Sequence, residues 1–76
     1  MKEGEEIIYN NRKIYLNMWG EYCVCHLWGG MTAYNAGFDT QEKAMIYIDI
    51  ITKRHDLRKE EFQKIAEEVK KVYILA

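Results

Sequence analysis

Apolar and polar residues alternate along the first half of the chain, as they do in half-buried strands. In residues 12–19, Ile14, Leu16 and Met18 fall on one side of an extended segment, and the residues between them fall on the other. Similar runs predict the remaining strands, over residues 5–9, 22–28 and 31–38, with turns at Asn10-Asn11, Gly20-Glu21 and Gly29-Gly30. The pattern therefore predicts an antiparallel sheet of three to four hairpin-connected strands.

The spacing of apolar residues becomes helical after residue 39. Helices are predicted over residues 40–54 and 57–73, with Asp39 or Thr40 as the cap of the first and Asp56 as the cap of the second. In the second helix, Phe62, Ile65, Ala66, Val69, Val72 and Tyr73 form one apolar stripe. Together these elements predict an α+β fold, built as a single domain over residues 1–76.

The first predicted helix carries more apolar surface than one sheet face can cover. From residue 44 to residue 51, seven of eight residues are apolar. A helix that is apolar around most of its circumference is usually covered on more than one side. We therefore expect a homodimer as one means of covering it, with an interface that includes Met45, Ile46 and Ile50.

Charge is balanced along the whole chain. There are 11 Lys and Arg residues against 12 Asp and Glu residues, for a formal net charge of −1. Proteins that bind nucleic-acid phosphates usually carry a basic surplus on one face, so nucleic acid is the less favoured partner. The segment from Met1 to Glu6 is acidic and polar, unlike a signal peptide, and no apolar run approaches a membrane span. A cytoplasmic protein without membrane contact is expected.

Two cysteines and two histidines supply the residue types of a zinc site, at Cys23, Cys25, His26 and His55. Their spacing argues against one, because Cys23 and Cys25 share a strand face from which His26 points away. We interpret both thiols as small core side chains and expect no metal and no other cofactor. The sequence contains none of the common catalytic motifs, so a non-enzyme is expected.

Aromatic residues at strand ends are the candidate binding residues. Trp19 and Trp28 lie beside glycine turns, and Tyr34 lies on the following strand. With Arg12 and Lys13 they could stack on bases, or they could anchor a protein interface, where Trp, Tyr and Arg are enriched. They could also simply close the ends of a small core. Residues 22–38 contain no Lys or Arg, which favours a protein partner over a nucleic acid.

The segment Gly-Phe-Asp-Thr-Gln-Glu-Lys-Ala-Met-Ile-Tyr-Ile-Asp, residues 37–49, connects the last strand to the first helix. It resembles the strand-to-helix joint F-D-T-x-E-x-A-x-x-Y-I-D of small uncharacterised phage and mobile-element proteins. It is also similar to the joint in the arm-type and AP2-like DNA-binding domains of integrases, which place a three-stranded sheet against one helix.

The resemblance implies a small phage accessory protein. Proteins of that kind, including anti-CRISPR inhibitors, act by occupying a surface of a host complex. Our leading hypothesis is a non-catalytic interaction domain that binds a host protein in the host cytoplasm, and the alternative is a small nucleic-acid-binding module of the integrase type.

Overall fold

A computed structural model describes residues 4–28, 31–54 and 57–71, and it describes residues 27, 28 and 31–33 by their backbone alone. A four-stranded antiparallel sheet in the order β1-β2-β3-β4 is followed by two helices, which confirms the predicted α+β class. The elements are β1 (Glu6–Tyr9), β2 (Arg12–Leu16), β3 (Tyr22–Trp28), β4 (Met31–Phe38), α1 (Gln41–Thr52) and α2 (Lys59–Lys70).

The turn between β1 and β2 forms where the two asparagines predict it. Tyr9 pairs with Arg12, and the residues between them, Asn10 and Asn11, have φ values of 51° and 65°. Two consecutive left-handed residues are typical of a type I′ turn, whose twist matches that of the strands it joins. Asparagine tolerates this conformation better than most residues, so the pair fixes the register of the hairpin.

Strand β2 is shorter than the predicted range of 12–19, because a local turn interrupts the alternation after Leu16. The Oδ1 atom of Asn17 accepts hydrogen bonds from the backbone N–H groups of Trp19, at 3.0 Å, and Glu21, at 2.9 Å. A side chain that satisfies nearby backbone donors offers the chain an alternative to continuing a strand. Gly20, with φ of 78°, completes the turn.

Both helices are shorter than predicted, and their caps differ from some of those expected. Helix α1 begins after Thr40, whose Oγ1 accepts a hydrogen bond from the Lys43 N–H at 3.2 Å, so Thr40 is the cap and Asp39 is not. The N-cap of α2 is Arg58, and the helix ends at Lys70. The predicted cap Asp56 and the end of the predicted apolar stripe, at residues 72 and 73, lie outside the described residues.

The core lies between the helices and one face of the sheet. The helix-facing positions of the strands and the inner faces of both helices contribute to it. Its buried members include Ile14, Val24, Ala36, Phe38, Ala44, Tyr47, Ile48, Ile51, Phe62, Ile65, Ala66 and Val69. Since both helices occupy this side, the opposite face of the sheet has no helix packed on it among the described residues.

Candidate functional site

The strand residues that alternate with the core positions form the outer sheet face. We define it by Glu6, Ile8, Lys13, Tyr15, Cys23, Cys25 and Asn35, which point away from the two helices. Register brings them into rows, because Glu6 pairs with Tyr15, Tyr15 with Cys23, and Cys25 with Asn35. This surface mixes apolar, polar and charged groups, the composition of a typical protein-binding surface.

A concavity of about 580 Å³ lies on this face. It opens where β2 and β3 separate, since their ladder contains only the pairs Tyr15–Cys23 and Leu16–Tyr22, whereas the ladder between β3 and β4 runs from Tyr22–Phe38 to Trp28–Met31. The lining residues are Glu6, Asn11, Arg12, Lys13, Tyr15, Val24 and Cys25. The predicted residues Arg12 and Lys13 are therefore brought together at one depression.

Polar contacts on the outer sheet face neutralise its charges. The Nζ atom of Lys13 lies 2.8 Å from Oε2 of Glu6, and this hydrogen bond and the charge of Glu6 raise the pKa of the Lys13 ammonium group. The Asn35 side-chain amide donates a hydrogen bond to the Tyr15 hydroxyl at 2.8 Å. These contacts orient Lys13 and Tyr15 on the surface, and the ion pair of Lys13 with Glu6 carries no net charge.

The two thiols have different environments. Cys23 is buried beneath Asn17 and Glu21, and burial raises its pKa, with a smaller contribution from the Glu21 charge. Cys25 is exposed beside the concavity, so the interpretation of both thiols as core side chains is wrong for Cys25. Within the described ranges, no group of three or more His, Cys, Asp or Glu side chains could hold a metal ion; His55 lies outside them.

Trp19 is the most exposed of the large hydrophobic side chains that the structure describes, at 78%. It lies on the turn between β2 and β3, next to Met18, which is 67% exposed. Of the other predicted binding aromatics, Tyr34 lies on the helix side of the sheet, and the side chain of Trp28 lies outside the described part of the chain. The predicted set is thus divided between the turn, the concavity and the core side.

A buried polar pair lies where Tyr34 meets the core. The Nε2 atom of His26 is 2.6 Å from the Tyr47 hydroxyl oxygen, and the imidazole ring stacks on Tyr34 with a centroid distance of 6.1 Å. Phe62 packs on the same ring at 4.5 Å. Burial, and to a lesser degree the charge of Arg12, lowers the pKa of His26 to about 4, and burial raises the pKa of Tyr47. At neutral pH this pair is an uncharged structural contact.

The predicted dimer residues lie on different sides of α1. Met45 and Ile46 are partly buried against the core, whereas Ile50 is 36% exposed. Successive helical residues differ by about 100° in direction, so Met45 points away from Ile46 and Ile50. The hydrogen bond from Tyr9 on β1 to Asp49 on α1, at 2.9 Å, places Met45, one turn before Asp49, on the β1 side of the helix.

No family model, curated protein or solved structure matches the chain. In the part of the chain that the structure describes, neither helix has the length and apolar character needed to cross a bilayer. The physical character of the outer sheet face and its adjoining turn is therefore the basis for a functional proposal.

Proposed function

We propose that this protein is a non-catalytic protein-interaction domain that binds its partner through the outer sheet face and the adjoining Trp19 turn. The observation that carries the proposal is the 78% exposure of the Trp19 side chain. A tryptophan can remove roughly 150–250 Å² from water when it is covered, and Trp is enriched among residues that dominate binding energy.

The turn presents the Trp19 ring on a fixed backbone. Asn17 accepts the backbone N–H of Trp19, and Gly20 N–H donates to the Asn17 carbonyl at 3.1 Å. Less conformational entropy is lost on binding when the backbone of an anchor residue is already ordered. Met18 extends the same apolar surface, and an unbranched thioether side chain adapts readily to different partner shapes.

Charge on the outer sheet face favours a protein over a nucleic acid. Among the described residues, two cations line the concavity, Arg12 and Lys13, and Glu6 neutralises Lys13 at 2.8 Å. Binding to phosphates releases counterions in proportion to the cations that contact them, and a paired lysine contributes little. A sheet that reads DNA as the integrase domains do would need several basic residues here, whereas in the described part of the chain Arg12 is the one other cation that lines the concavity.

The partner class rests on the resemblance of residues 37–49 to small phage and mobile-element proteins. A protein of this class that lacks catalytic chemistry acts by covering a surface of a host protein. We accordingly propose a host complex as the target, with a defence complex of the CRISPR type as one instance, and the host cytoplasm as the place of action.

Substitution of Trp19 tests the binding surface. Wild-type protein and the variants Trp19→Ala and Ile50→Ala would be immobilised and exposed to the lysate of a candidate host, and bound proteins would be identified by mass spectrometry. We expect Trp19→Ala to reduce capture of a specific protein by about 30-fold or more, the effect of losing roughly 2 kcal/mol at a central contact. Ile50→Ala removes an apolar side chain that is 36% exposed on the helix side of the molecule and should not affect capture.

Circular dichroism distinguishes a binding defect from unfolding, because Trp19→Ala should leave the spectrum and the thermal midpoint unchanged. Equal capture by wild type and Trp19→Ala would contradict the proposed surface. Gel shifts with duplex and single-stranded DNA and RNA at low salt test the alternative. Binding there, with affinity that falls steeply as salt is added, would instead support a nucleic-acid-binding module.

A further inference from the structure

Strand β1 is an edge of the sheet. The contacts at its two ends show which of its residues bond to β2 through their backbone groups and which point outward. Leu16 N–H donates to the Glu5 carbonyl at 3.2 Å, and the type I′ turn makes Tyr9 and Arg12 the bonded pair at the other end. In an antiparallel ladder, bonded and non-bonded pairs alternate. The backbone groups of Ile7 therefore point toward β2, and those of Glu6 and Ile8 point away from the sheet.

The side chains of this edge lack the usual devices that prevent strand pairing. The ladder from Glu6 to Tyr9 is regular, without a proline or a bulge, and Glu6 is its only charged residue. Natural edges are usually protected by lysines, prolines, bulges or a very short strand, and of these devices β1 has only its length of four residues. Ile8, by contrast, is 68% exposed on the outer sheet face, where an unpaired edge strand would more often carry a polar residue.

The helix side of the same edge is an incompletely covered rim of the core. Ile7, Tyr9 and Met45 are partly buried and pack against the core cluster from this side. The Tyr9–Asp49 hydrogen bond holds β1 against α1. The rim therefore lies directly above the outward backbone groups of β1. An additional strand alone would extend the sheet, but it would not cover the apolar groups above it.

We propose that β1 pairs antiparallel with β1 of a second copy of this chain, which forms a continuous eight-stranded sheet. A two-fold axis perpendicular to the sheet keeps both helix layers on one side, so the Ile7–Tyr9–Met45 rims of the two copies meet above the new ladder. This arrangement satisfies the outward backbone groups of Ile8 and covers both apolar rims, and for that reason a second copy fits better than an unrelated strand.

Two short registers keep the faces of the two sheets aligned without placing Glu6 opposite Glu6 of the second copy. In one register, Ile8 lies opposite Ile8 of the second copy at the two-fold axis. In the other, Ile8 lies opposite Glu6 of the second copy. In both registers, the Glu6 side chains of the two copies are not directly opposite each other, so no like-charge contact opposes association. This pairing uses the backbone of β1, whereas Trp19 lies on the turn at the other end of β2, so Trp19→Ala should not affect it.

Sedimentation equilibrium of wild type, Ile8→Glu, Ile8→Pro and the control Met18→Glu tests the pairing. We expect wild type to approach twice 9.1 kDa at high micromolar concentration. Ile8→Glu places like charges together in either register, and Ile8→Pro removes an outward N–H while leaving the β2 hydrogen bonds intact. Each should weaken association by about tenfold or more. Met18→Glu adds the same charge at an exposed turn and should not affect it.

Amide hydrogen exchange distinguishes edge pairing from any other dimer. The Ile8 N–H should exchange quickly in dilute protein and become protected as concentration rises, whereas the Ile7 N–H should be protected throughout. A mass of 9.1 kDa at all concentrations up to 1 mM, the order at which short interfaces associate, would overturn the proposal. So would a dimer that Ile50→Glu disrupts but the Ile8 substitutions do not, since its interface would then be on α1.

Discussion

His26 and Tyr47 form a hydrogen bond within the largely apolar core. The 2.6 Å contact satisfies both side chains, and three aromatic rings exclude water from the imidazole. Burial of the imidazole, and to a lesser degree the nearby charge of Arg12, disfavours its protonated form. Protonation of His26 therefore opposes folding.

Stability should consequently fall in mild acid. The unfolded chain binds a proton on His26 with a pKa near 6.5, and the folded chain does so with a pKa of about 4. Between these values the unfolded state holds more protons, so the free energy of unfolding is highest above pH 6.5 and falls toward pH 4, by roughly 3 kcal/mol in total. Urea unfolding at pH 7.0, 5.5 and 4.5 measures the loss.

His26→Gln serves as the control because it keeps a polar group but cannot titrate. The carboxylates and His55 contribute equally to both proteins, so the difference between their pH profiles isolates His26. Parallel profiles between pH 7.0 and 4.5 would show that the His26 environment does not disfavour the charged form.

At the residue scale, the sequence supports predictions about solvent exposure better than predictions about which side chains contact each other. Alternation around Ile14 correctly separates the core from the outer face. The contact between His26 and Tyr47 joins residues separated by 21 positions, and no local pattern encodes it. Similarly, alternation alone cannot indicate that Cys23 is covered while Cys25 is exposed, since neighbouring loop side chains decide which thiol is buried.

At the scale of the elements, Lys43 connects the start of α1 to the end of α2. Its Nζ donates to the Lys70 carbonyl at 3.0 Å and lies 3.0 Å from Oδ1 of Asp39. The final carbonyls of a helix have no partners within that helix and carry partial negative charge, so a lysine there satisfies both requirements. Its apolar stem accounts for the low exposure of the residue.

Replacing Lys43 with methionine should retain the buried apolar part of the side chain and remove the contacts of the ammonium group with Lys70 and Asp39. We expect Lys43→Met to lower the free energy of unfolding by about 1.5–3 kcal/mol, the value of a hydrogen bond to a charged group. Denaturant unfolding at pH 7 measures this. Lys70→Met is the matched control, because among the described residues its ammonium group forms an ion pair with the exposed Glu67, and its backbone carbonyl is retained. Equal effects of the two substitutions would contradict the assigned role.

The sequence predicts which elements form more accurately than where each one ends. Turn chemistry at Asn10 and Asn11 is local, and the structure contains the predicted hairpin. The alternation continues through Met18 and Trp19 and so predicts a strand to residue 19. Strand β2 ends at Leu16 instead, because the hydrogen bonds of Asn17 start a turn. Thr40 and Asp39 are both good caps by type, and the sequence does not reveal that Thr40 accepts the Lys43 N–H while the Asp39 carboxylate pairs with the Lys43 ammonium group.

At the scale of the whole molecule, the core makes the two helices and the sheet interdependent. Strands β2, β3 and β4 contribute Ile14, Val24 and Phe38, and the helices contribute Ile48 and Ile65 to the same cluster. Neither layer can bury its apolar side without the other. The α+β class was predictable because the change from alternating to helical spacing at residue 39 is abrupt, whereas no sequence pattern indicated the concavity between β2 and β3.

Unfolding should therefore be a single transition. Ile65→Val, in α2, is expected to cost about 1 kcal/mol and to shift the far-ultraviolet helix signal and the near-ultraviolet aromatic signal equally. Circular dichroism at both wavelengths during urea denaturation checks this. Glu68→Ala, on the solvent side of the same helix, should leave both midpoints in place. A helix signal that shifts without the aromatic signal would mean that α2 unfolds independently.

The sequential order of the sheet has a consequence during synthesis. Each strand pairs with its neighbour in the chain, so the hairpins can form as soon as they leave the ribosome. The helices that cover Ile14, Val24 and Phe38 are made last. The nascent sheet therefore exposes the apolar side chains of its inner face until α2 emerges. Slow translation of the helical half would prolong this exposure, and with it the period in which a chaperone is most needed.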